Sequence, residues 1–266
     1  MFTRWFILSS PYVQPNFITT HEASEHHPSR YLFLDELRGL AIINMILYHL
    51  CWNLDRLVGV SLPWYHQTAA NIWQLYICGS FLLLAGMCIH YTRHLSRHIL
   101  TLAGCAALIT IVTYFAGSQT LIVFGILHCM TLCFLCYVVL RPLLQRIPTV
   151  LGLILTVFLF IFTYHVPQHY LGLGWIQIPL PSEWYVSYWL SLIGLLSPDF
   201  YSADYFPIFP YLFLFLAGYF LGKLQLPNWM RQSHCRPLAW MGQHSLIIYL
   251  LHQPILYGLL LPFFPE

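Results

Sequence analysis

The chain has 266 residues, of which 59% are hydrophobic and only 8% are charged, and its formal net charge at pH 7 is +2. Water-soluble domains carry about 25% charged residues, so this composition excludes a soluble globular protein. The small net charge and the scattered basic residues also exclude a nucleic-acid-binding protein.

Apolar runs of about 20 residues predict an all-α fold, namely a polytopic integral membrane bundle of about seven transmembrane helices. The short alternating segments typical of membrane β-barrels are not seen. Residues 1–30 are expected to form a polar cytoplasmic segment without a cleavable signal peptide, and residues 31–266 a single transmembrane domain. The predicted spans are about 39–60, 69–92, 98–117, 120–140, 148–166, 207–224 and 241–262.

Residues 175–197 form the one ambiguous apolar segment. Pro179, Pro181 and Glu183 leave an apolar run of roughly a dozen residues, which is short for an eighth span and predicts a re-entrant or interfacial helix. Seven spans with a cytoplasmic N-terminus place ten of the eleven Lys and Arg residues on the cytoplasmic side. We therefore expect a multi-pass protein of the cytoplasmic (inner) cell membrane, with its C-terminus outside.

The first predicted span carries more polar side chains than contact with lipid allows, because each ionisable residue there costs on the order of a few kcal/mol. At 100° per residue, these side chains form two neighbouring lines on one side of the helix. The first line is Asp35, Arg38, His49, Asn53 and Arg56, and the second is Asn44, Tyr48, Cys51 and Asp55. This side is expected either to face a protein-lined or wet cavity or to join helices, and the spacing of Asp35 and Arg38 suits a structural ion pair.

Three histidines lie at depth in the predicted spans. His49 is near the middle of the first span, where a neutral imidazole suits a proton acceptor near pH 7. His128 lies in the fourth span, and His252 in the last, where it shares a helix face with Ser245 and Tyr249. A single such histidine is commonly a satisfied interior residue, but three in one small bundle favour a functional site.

No metal site is predicted. The histidines lack a carboxylate at ligand spacing, and the eight cysteines show the spacing of neither a zinc site nor a disulfide framework. His90, His94 and His98 lie beside Arg93 and Arg97, whose positive charge would repel a metal ion. This basic face is either a plain positive-inside flank or a site for the phosphates of a lipid or a cytosolic cofactor.

Five sequence stretches, taken together in their order along the chain, indicate a family relationship more specifically than any one of them does. They are LDELRGLAIINMILYH (Leu34 to His49), GSFLLLAGM (Gly79 to Met87), FGILHC (Phe124 to Cys129), SADYFPIFPYLFLFLAGYFLGK (Ser202 to Lys223) and MGQHSLIIYLLHQPIL (Met241 to Leu256). Over about residues 30–260, this pattern resembles the heparan-α-glucosaminide N-acetyltransferase catalytic-domain family, in particular its short prokaryotic members.

The resemblance implies transfer of an acetyl group from cytosolic acetyl-CoA to a sugar amine across the membrane, with an intramembrane histidine and asparagine. In the lysosomal member an asparagine follows the arginine of the D-x-x-R-G motif by eleven residues, and the same offset from Arg38 leads here to His49. The family's catalytic histidine lies in the following outer loop, where the nearest counterpart is His66.

We therefore expect a transmembrane acyltransferase, acting on nitrogen or oxygen, that moves an acetyl or similar group from CoA to a carbohydrate or cell-envelope acceptor. His49 is the expected general base, and His66 competes for this role. The other expected catalytic or cavity residues are His128, His252, Asp204, Asp35, Asn44, Asn53, Asp55, Ser245 and Tyr249. Arg38, Arg93, Arg97 and Arg141 are expected to hold the phosphates of CoA.

Two further functions stay open from the sequence. A small-solute or proton-coupled transporter could use the same histidines as a relay, and a non-catalytic membrane subunit could use the polar side of the first span as an interface. The lipid bilayer is an expected partner in every case, and association into a homo-oligomer is left open.

Overall fold

The computed structural model describes residues 30–117 and 119–264. The predicted polar N-terminal segment lies outside these residues, apart from Arg30. The chain divides into two compact units, which are described separately: a terminal unit, residues 1–67 with 226–266, and a central unit, residues 68–225. The single domain expected over residues 31–266 stays a prediction.

The described chain is mostly helical, with one small sheet. The helices are α1 (Leu32–Asn53), α2 (Thr68–Cys88), α3 (Leu95–Ala116), α4 (Ile126–Arg146), α5 (Thr149–Thr163), α6 (Ile208–Gly222), α7 (Arg236–Gln243) and α8 (Ser245–Leu260). The sheet is an antiparallel hairpin of β1 (Tyr170–Leu173) and β2 (Ile176–Pro179), in which Tyr170 pairs with Pro179.

Within the described residues, five helical stretches are long and apolar enough to cross a membrane, so the helical, multi-pass character is confirmed. These stretches are Thr68–Tyr91, Leu95–Ala116, Ile126–Arg146, Thr149–Gln168 and Ser245–Phe263. The apolar helix α6 has only 15 residues, and α1 has 22 residues with one polar side. The count of seven spans therefore stays a prediction.

The helix predicted in residues 175–197 is wrong. This segment contains β2 and two 3-10 helices, Ser182–Tyr185 and Tyr188–Ile193. Gly172 and Gly174 have positive φ, which turns the chain into the hairpin, and the prolines at 179 and 181 prevent helix continuation.

Predicted helix boundaries also differ from the structure. The first span is predicted at about 39–60, whereas α1 begins at Leu32 and ends at Asn53, where a π-helix follows. The fourth helix begins at Ile126 rather than near residue 120, because the preceding residues are held in an irregular loop. In this loop Ile122 N–H donates to the Thr113 hydroxyl, and Val123 N–H donates to the hydroxyl of Ser202. The last predicted span is interrupted at His244, which separates α7 from α8.

In the terminal unit, α1 and α7 cross with their backbones in direct contact. A Cβ atom at Gly39 would overlap the carbonyl oxygen of Leu238, and one at Gly242 would overlap the carbonyl oxygen of Asp35. Glycine thus permits an approach that any larger residue would block. Glu36 fixes the chain entering α7, since its Oε1 accepts hydrogen bonds from the Ser233 hydroxyl and from the N–H groups of residues 234 and 235.

In the central unit, glycines likewise allow the backbones of α2 and α6 to approach closely. A Cβ atom at Gly86 would overlap the carbonyl oxygen of Phe215, and one at Gly218 would overlap that of Leu83. On α5, a Cβ atom at Gly152 would overlap the ring of Phe220. The core of this unit therefore depends on small residues at helix crossings.

We expect the substitution Gly39→Ala to lower the stability of the protein by about 1–3 kcal/mol, the usual cost of inserting a methyl group where packing is full. Thermal unfolding in detergent measures the change. Gly258→Ala on α8 is the matched control, because no heavy atom lies within 4 Å of its added Cβ. Equal melting temperatures for the two variants would contradict the close crossing of α1 and α7.

Candidate functional site

Asp35 sits in an ion cluster at the start of α1. Its side chain is buried, and its two oxygens accept hydrogen bonds from Arg30 Nε at 2.5 Å and from Arg38 Nη1 at 2.9 Å. This arrangement agrees with the structural interpretation of the Asp35–Arg38 spacing. Each carboxylate oxygen thus has a charged partner, which offsets the cost of burying the Asp35 carboxylate.

Asn53, Gln253 and His49 form a chain of hydrogen bonds between α1 and α8. The Asn53 Nδ2 amide donates to Gln253 Oε1 at 3.0 Å, and the Gln253 Nε2 amide lies 3.0 Å from His49 Nδ1. An amide nitrogen only donates, so His49 Nδ1 is the acceptor in this contact. A neutral His49 therefore carries its hydrogen on Nε2.

His252 is held in the opposite tautomer. Its Nδ1 lies 2.5 Å from the backbone carbonyl oxygen of Tyr249, and a carbonyl oxygen only accepts hydrogen bonds. Nδ1 therefore carries the hydrogen, and Nε2 of the neutral ring carries a lone pair. His252 Nε2 is buried and has no hydrogen-bond partner.

The rings of His49 and His252 are in contact, with their centroids 4.7 Å apart and their planes tilted by 53°. We call these two residues the His49–His252 pair. One ring presents an N–H group at Nε2 and the other presents a lone pair at Nε2. Buried polar atoms in folded proteins are nearly always hydrogen-bonded, so the free nitrogen of His252 requires an explanation.

Ser245 and Tyr249 lie on α8 with His252, as predicted. Ser245 is buried at the first residue of the helix, and the Tyr249 ring lies 5.5 Å from the His252 ring. Asn44 on α1 donates to the carbonyl oxygen of Leu40 within its own helix. The geometry thus brings Asn53 into contact with Gln253, which binds His49.

A second histidine site of the terminal unit follows the end of α1. His66 Nε2 lies 2.9 Å from Asp55 Oδ2, and the His66 side chain is 49% exposed. Asp55 is fixed in turn, because its Oδ1 accepts the N–H of Leu62 at 3.3 Å and Arg56 lies 3.7 Å from its Oδ2. This carboxylate–imidazole pair resembles the base and its orienting group in many hydrolytic and transfer sites.

Ring contacts connect this site with the His49–His252 pair. Tyr65, the neighbour of His66, donates its hydroxyl hydrogen to the carbonyl oxygen of Tyr48, and the two tyrosine rings are 5.0 Å apart. Burial raises the pKa of the Tyr65 hydroxyl, so this group stays protonated and keeps donating. The ring of Tyr48 lies 5.9 Å from that of His49.

His128 and Asp204 belong to the central unit and lie together at the N-terminus of α4. His128 Nδ1 accepts the N–H of Gly125 at 3.2 Å, and Thr110 Oγ1 lies 3.1 Å from His128 Nε2. The Thr110 hydroxyl donates to Ile122 O, so its oxygen is free to accept the N–H of His128. Both nitrogens of His128 are thus occupied, which favours a structural role.

Asp204 completes the start of α4 from a distant part of the chain. Its Oδ2 lies 3.3 Å from the backbone nitrogen of Ile126, which donates. Burial raises the pKa of the Asp204 carboxyl to about 6, although this hydrogen bond opposes the shift. Gly125 leaves room beside it, since a Cβ atom there would lie 2.8 Å from Ile122 Cγ2 and 3.0 Å from Asp204 Oδ2.

The arginines expected to hold phosphates are divided between the units. Arg38 belongs to the terminal unit, where it contacts Asp35. Arg93, Arg97 and Arg141 belong to the central unit, and all three are exposed. Their binding of CoA phosphates stays a prediction.

Gln253 and Glu36 are absent from the site residues predicted from sequence. Gln253 carries a sequence signal, because an amide in the middle of an apolar helix needs a polar partner. Glu36 carries a weaker sequence signal, since two of its partners are backbone groups almost two hundred residues away along the chain. Within residues 30–117 and 119–264, no group of three or more His, Cys, Asp or Glu side chains could hold a metal ion.

Comparison with known proteins identifies one related family. The family model described as "Heparan-alpha-glucosaminide N-acetyltransferase, catalytic" matches residues 30–254, which is most of the chain. No curated protein and no solved structure matches the chain.

The raised pKa of Asp204 predicts a stability difference that depends on pH. The folded pKa of about 6 exceeds the usual value of about 3.9, so the wild type loses stability as the pH rises through this window. Asp204→Asn removes the charge, keeps an acceptor for the N–H of Ile126, and should abolish this loss. The measurement is the melting temperature in detergent between pH 4 and pH 8.

Asp199→Asn is the control for this titration, because Asp199 is an exposed carboxylate of the same loop. It should keep the pH dependence of the wild type. If Asp204→Asn also keeps it, Asp204 does not titrate as its burial indicates.

Proposed function

This chain belongs to the heparan-alpha-glucosaminide N-acetyltransferase catalytic family, and we propose that it is a membrane acyltransferase that moves an acetyl or similar group from CoA to a carbohydrate or cell-envelope acceptor. Membership implies an acetyl-CoA-type donor in general. The apolar helices support a multi-pass membrane protein. The proposed topology has seven spans, with the N-terminus in the cytoplasm, where CoA is found.

One observation carries the assignment of the active centre, namely the free lone pair of His252 Nε2 beside His49. Acyl transfer from a thioester requires a group that takes a proton from the attacking acceptor. A neutral imidazole nitrogen with no protein partner is available for that proton. Its position inside a membrane-spanning helix supports function over packing, since polar residues there are costly.

His49 takes a different role in this proposal from the general base expected from sequence. Its Nδ1 lone pair is engaged by Gln253, so Nε2 can donate a hydrogen bond but cannot accept a proton. Negative charge develops on the thioester carbonyl oxygen as the acceptor attacks, and a preorganised N–H donor stabilises this charge. We assign this donor role to His49 and the base role to His252.

The neighbouring groups keep the two roles fixed. The amides of Asn53 and Gln253 orient His49, and the Tyr249 carbonyl orients His252. These contacts set the tautomers before substrate binds, which is the structural form of preorganisation. In the central unit, Arg93, Arg97 and Arg141 are proposed to hold the phosphates of CoA, because guanidinium groups bind phosphate oxygens in a bidentate manner. Arg38 of the terminal unit stays a separate candidate for the same role.

The His66–Asp55 pair is the second candidate for the base. The 2.9 Å contact and the exposed ring support it, as does the position expected from the family resemblance. His66 differs from His252 in that its ring is in contact with solvent, where water can supply and remove protons. We therefore propose that this pair meets the acceptor at the end of α1, while His252 takes the proton.

A proton-coupled transporter is the second candidate function. The His49–His252 pair supports it, since histidines inside membrane helices also form proton relays. A transporter would move its solute across vesicles without acyl-CoA, whereas an acyltransferase would consume the thioester.

The substitution His252→Gln should lower kcat by roughly 10²-fold or more, the contribution typical of a general base. The amide oxygen of Gln occupies about the position of Nε2 and still accepts hydrogen bonds, but it does not take a proton. Consumption of acetyl-CoA by purified protein in lipid nanodiscs measures the change. His244→Gln is the matched control, and an unchanged kcat for His252→Gln would remove His252 from the chemistry.

The substitution His66→Gln separates the two candidate bases. A residue that only helps to bind the acceptor raises KM when it is removed and leaves kcat nearly unchanged, so the kcat of His66→Gln should then stay within about tenfold of wild type. The same assay, with Asp55→Asn beside it, measures this. A loss as large as that of His252→Gln would transfer the base role to His66.

A further inference from the structure

The central unit contains an open apolar groove where α5 ends and α6 begins. Its volume is about 250 Å³. One wall comes from Thr163, the last residue of α5, and from Val166 just after it, and another comes from Phe209 and Phe213 of α6. The β1–β2 hairpin and the chain that follows it, including Leu195, complete the lining. All of these residues belong to one compact unit.

The walls of this groove are hydrocarbon. Apart from Thr163 and Trp184, every side chain that lines it is that of Val, Leu, Ile or Phe. The Thr163 hydroxyl donates its hydrogen to the carbonyl oxygen of Leu159 within α5. A volume of about 250 Å³ corresponds to about eight water molecules, each of which needs about two to four polar partners. The groove therefore suits an apolar ligand better than water.

Contacts within the central unit fix the walls of the groove. The Tyr185 hydroxyl donates to the carbonyl oxygen of Val166, which joins the chain after the hairpin to the end of α5. Gly194 has a positive φ, and a Cβ atom there would lie 3.1 Å from the carbonyl oxygen of Phe209. The rings of Phe209 and Phe213 stack with their centroids 5.4 Å apart. The groove is thus part of the folded unit.

The lengths of α5 and α6 place the groove at the depth of lipid hydrocarbon. At the opposite ends of these helices, Lys223 Nζ donates to the carbonyl oxygen of Ile147 at 3.3 Å, so the two ends are level. Lys223 and Arg146 mark the membrane boundary there, because charged side chains are costly inside it. Each helix has 15 residues, a length of about 22 Å, whereas the hydrocarbon core is about 30 Å thick. Acyl chains therefore reach the groove.

The chain around the groove has the composition of a membrane boundary. Residues 147–182 contain no Asp, Glu, Lys or Arg. Trp175 on the hairpin and Trp184 after it are exposed, and tryptophan is enriched where membranes meet water. On α5, the exposed side chains of Phe158 and Ile161 lead along the helix towards the groove. The groove thus continues the apolar surface that α5 presents to lipid.

We propose that this groove binds the acyl chain of a membrane phospholipid. An acyl chain is apolar and flexible, and the bilayer supplies it at this depth in large excess. Bound in the groove, it covers hydrocarbon surface that would otherwise meet water beyond the ends of α5 and α6. Lipid binding here is independent of acyl transfer, because the groove belongs to the central unit and the His49–His252 pair to the terminal unit.

The test uses the full chain in lipid nanodiscs that contain a phospholipid with a photoactivatable diazirine on one acyl chain. After irradiation and proteolysis, mass spectrometry locates the lipid adducts. We expect adducts on groove residues such as Leu195 and Phe213. A phospholipid with the diazirine on its headgroup is the matched probe. It should not label these residues, because the hydrocarbon walls offer a charged headgroup no partner.

The substitution Leu195→Trp fills the groove and should abolish the groove adducts, whereas Leu155→Trp on the exposed side of α5 should leave them unchanged. Groove adducts that persist in Leu195→Trp would overturn the proposal. So would equal labelling of the groove by the two probes in the wild type, or its absence with the acyl-chain probe, and neither result depends on the folding of a variant. Adducts that form with one copy of the chain in each nanodisc and vanish with two would assign the groove to a second copy instead.

Discussion

The hydrogen bond between the Gln253 amide and His49 Nδ1 fixes which ring nitrogen of His49 carries the hydrogen, and the proposed active centre depends on it. It uses the only lone pair of a neutral His49 and leaves an N–H group at the other nitrogen. His252 is fixed the other way by the Tyr249 carbonyl. The two histidines thus take opposite roles at Nε2, one as a hydrogen-bond donor and the other as an acceptor. Their ring centroids are 4.7 Å apart.

The scaffold of each unit explains how such contacts are held. Gly39 and Gly242 let α1 and α7 meet backbone to backbone, and Glu36 binds the segment that leads into α7. α8 begins directly after α7, so the position of α7 constrains where α8 starts. In the central unit, Asp204 and His128 both bind N–H groups at the start of α4. Their polar atoms stabilise an irregular loop.

Much of the architecture can be predicted from sequence, because long apolar runs with polar breaks are a strong signal. The helical multi-pass fold, the family and the Asp35–Arg38 contact follow from local pattern. The start of α4 does not, since it depends on Ser202 and Asp204, which are distant in the chain. The different hydrogen bonding of His49 and His128 cannot be predicted from sequence either, because helical phase does not reveal which ring nitrogens have a partner.

The tautomers of the two histidines are the most direct test of this account. Nitrogen-15 NMR of histidine-labelled protein in lipid nanodiscs distinguishes a protonated ring nitrogen from one with a lone pair, and His49→Gln and His252→Gln assign the signals. We expect the hydrogen of His252 on Nδ1 and that of His49 on Nε2. A hydrogen on Nε2 of His252, or on Nδ1 of His49, would contradict the proposed division of donor and base.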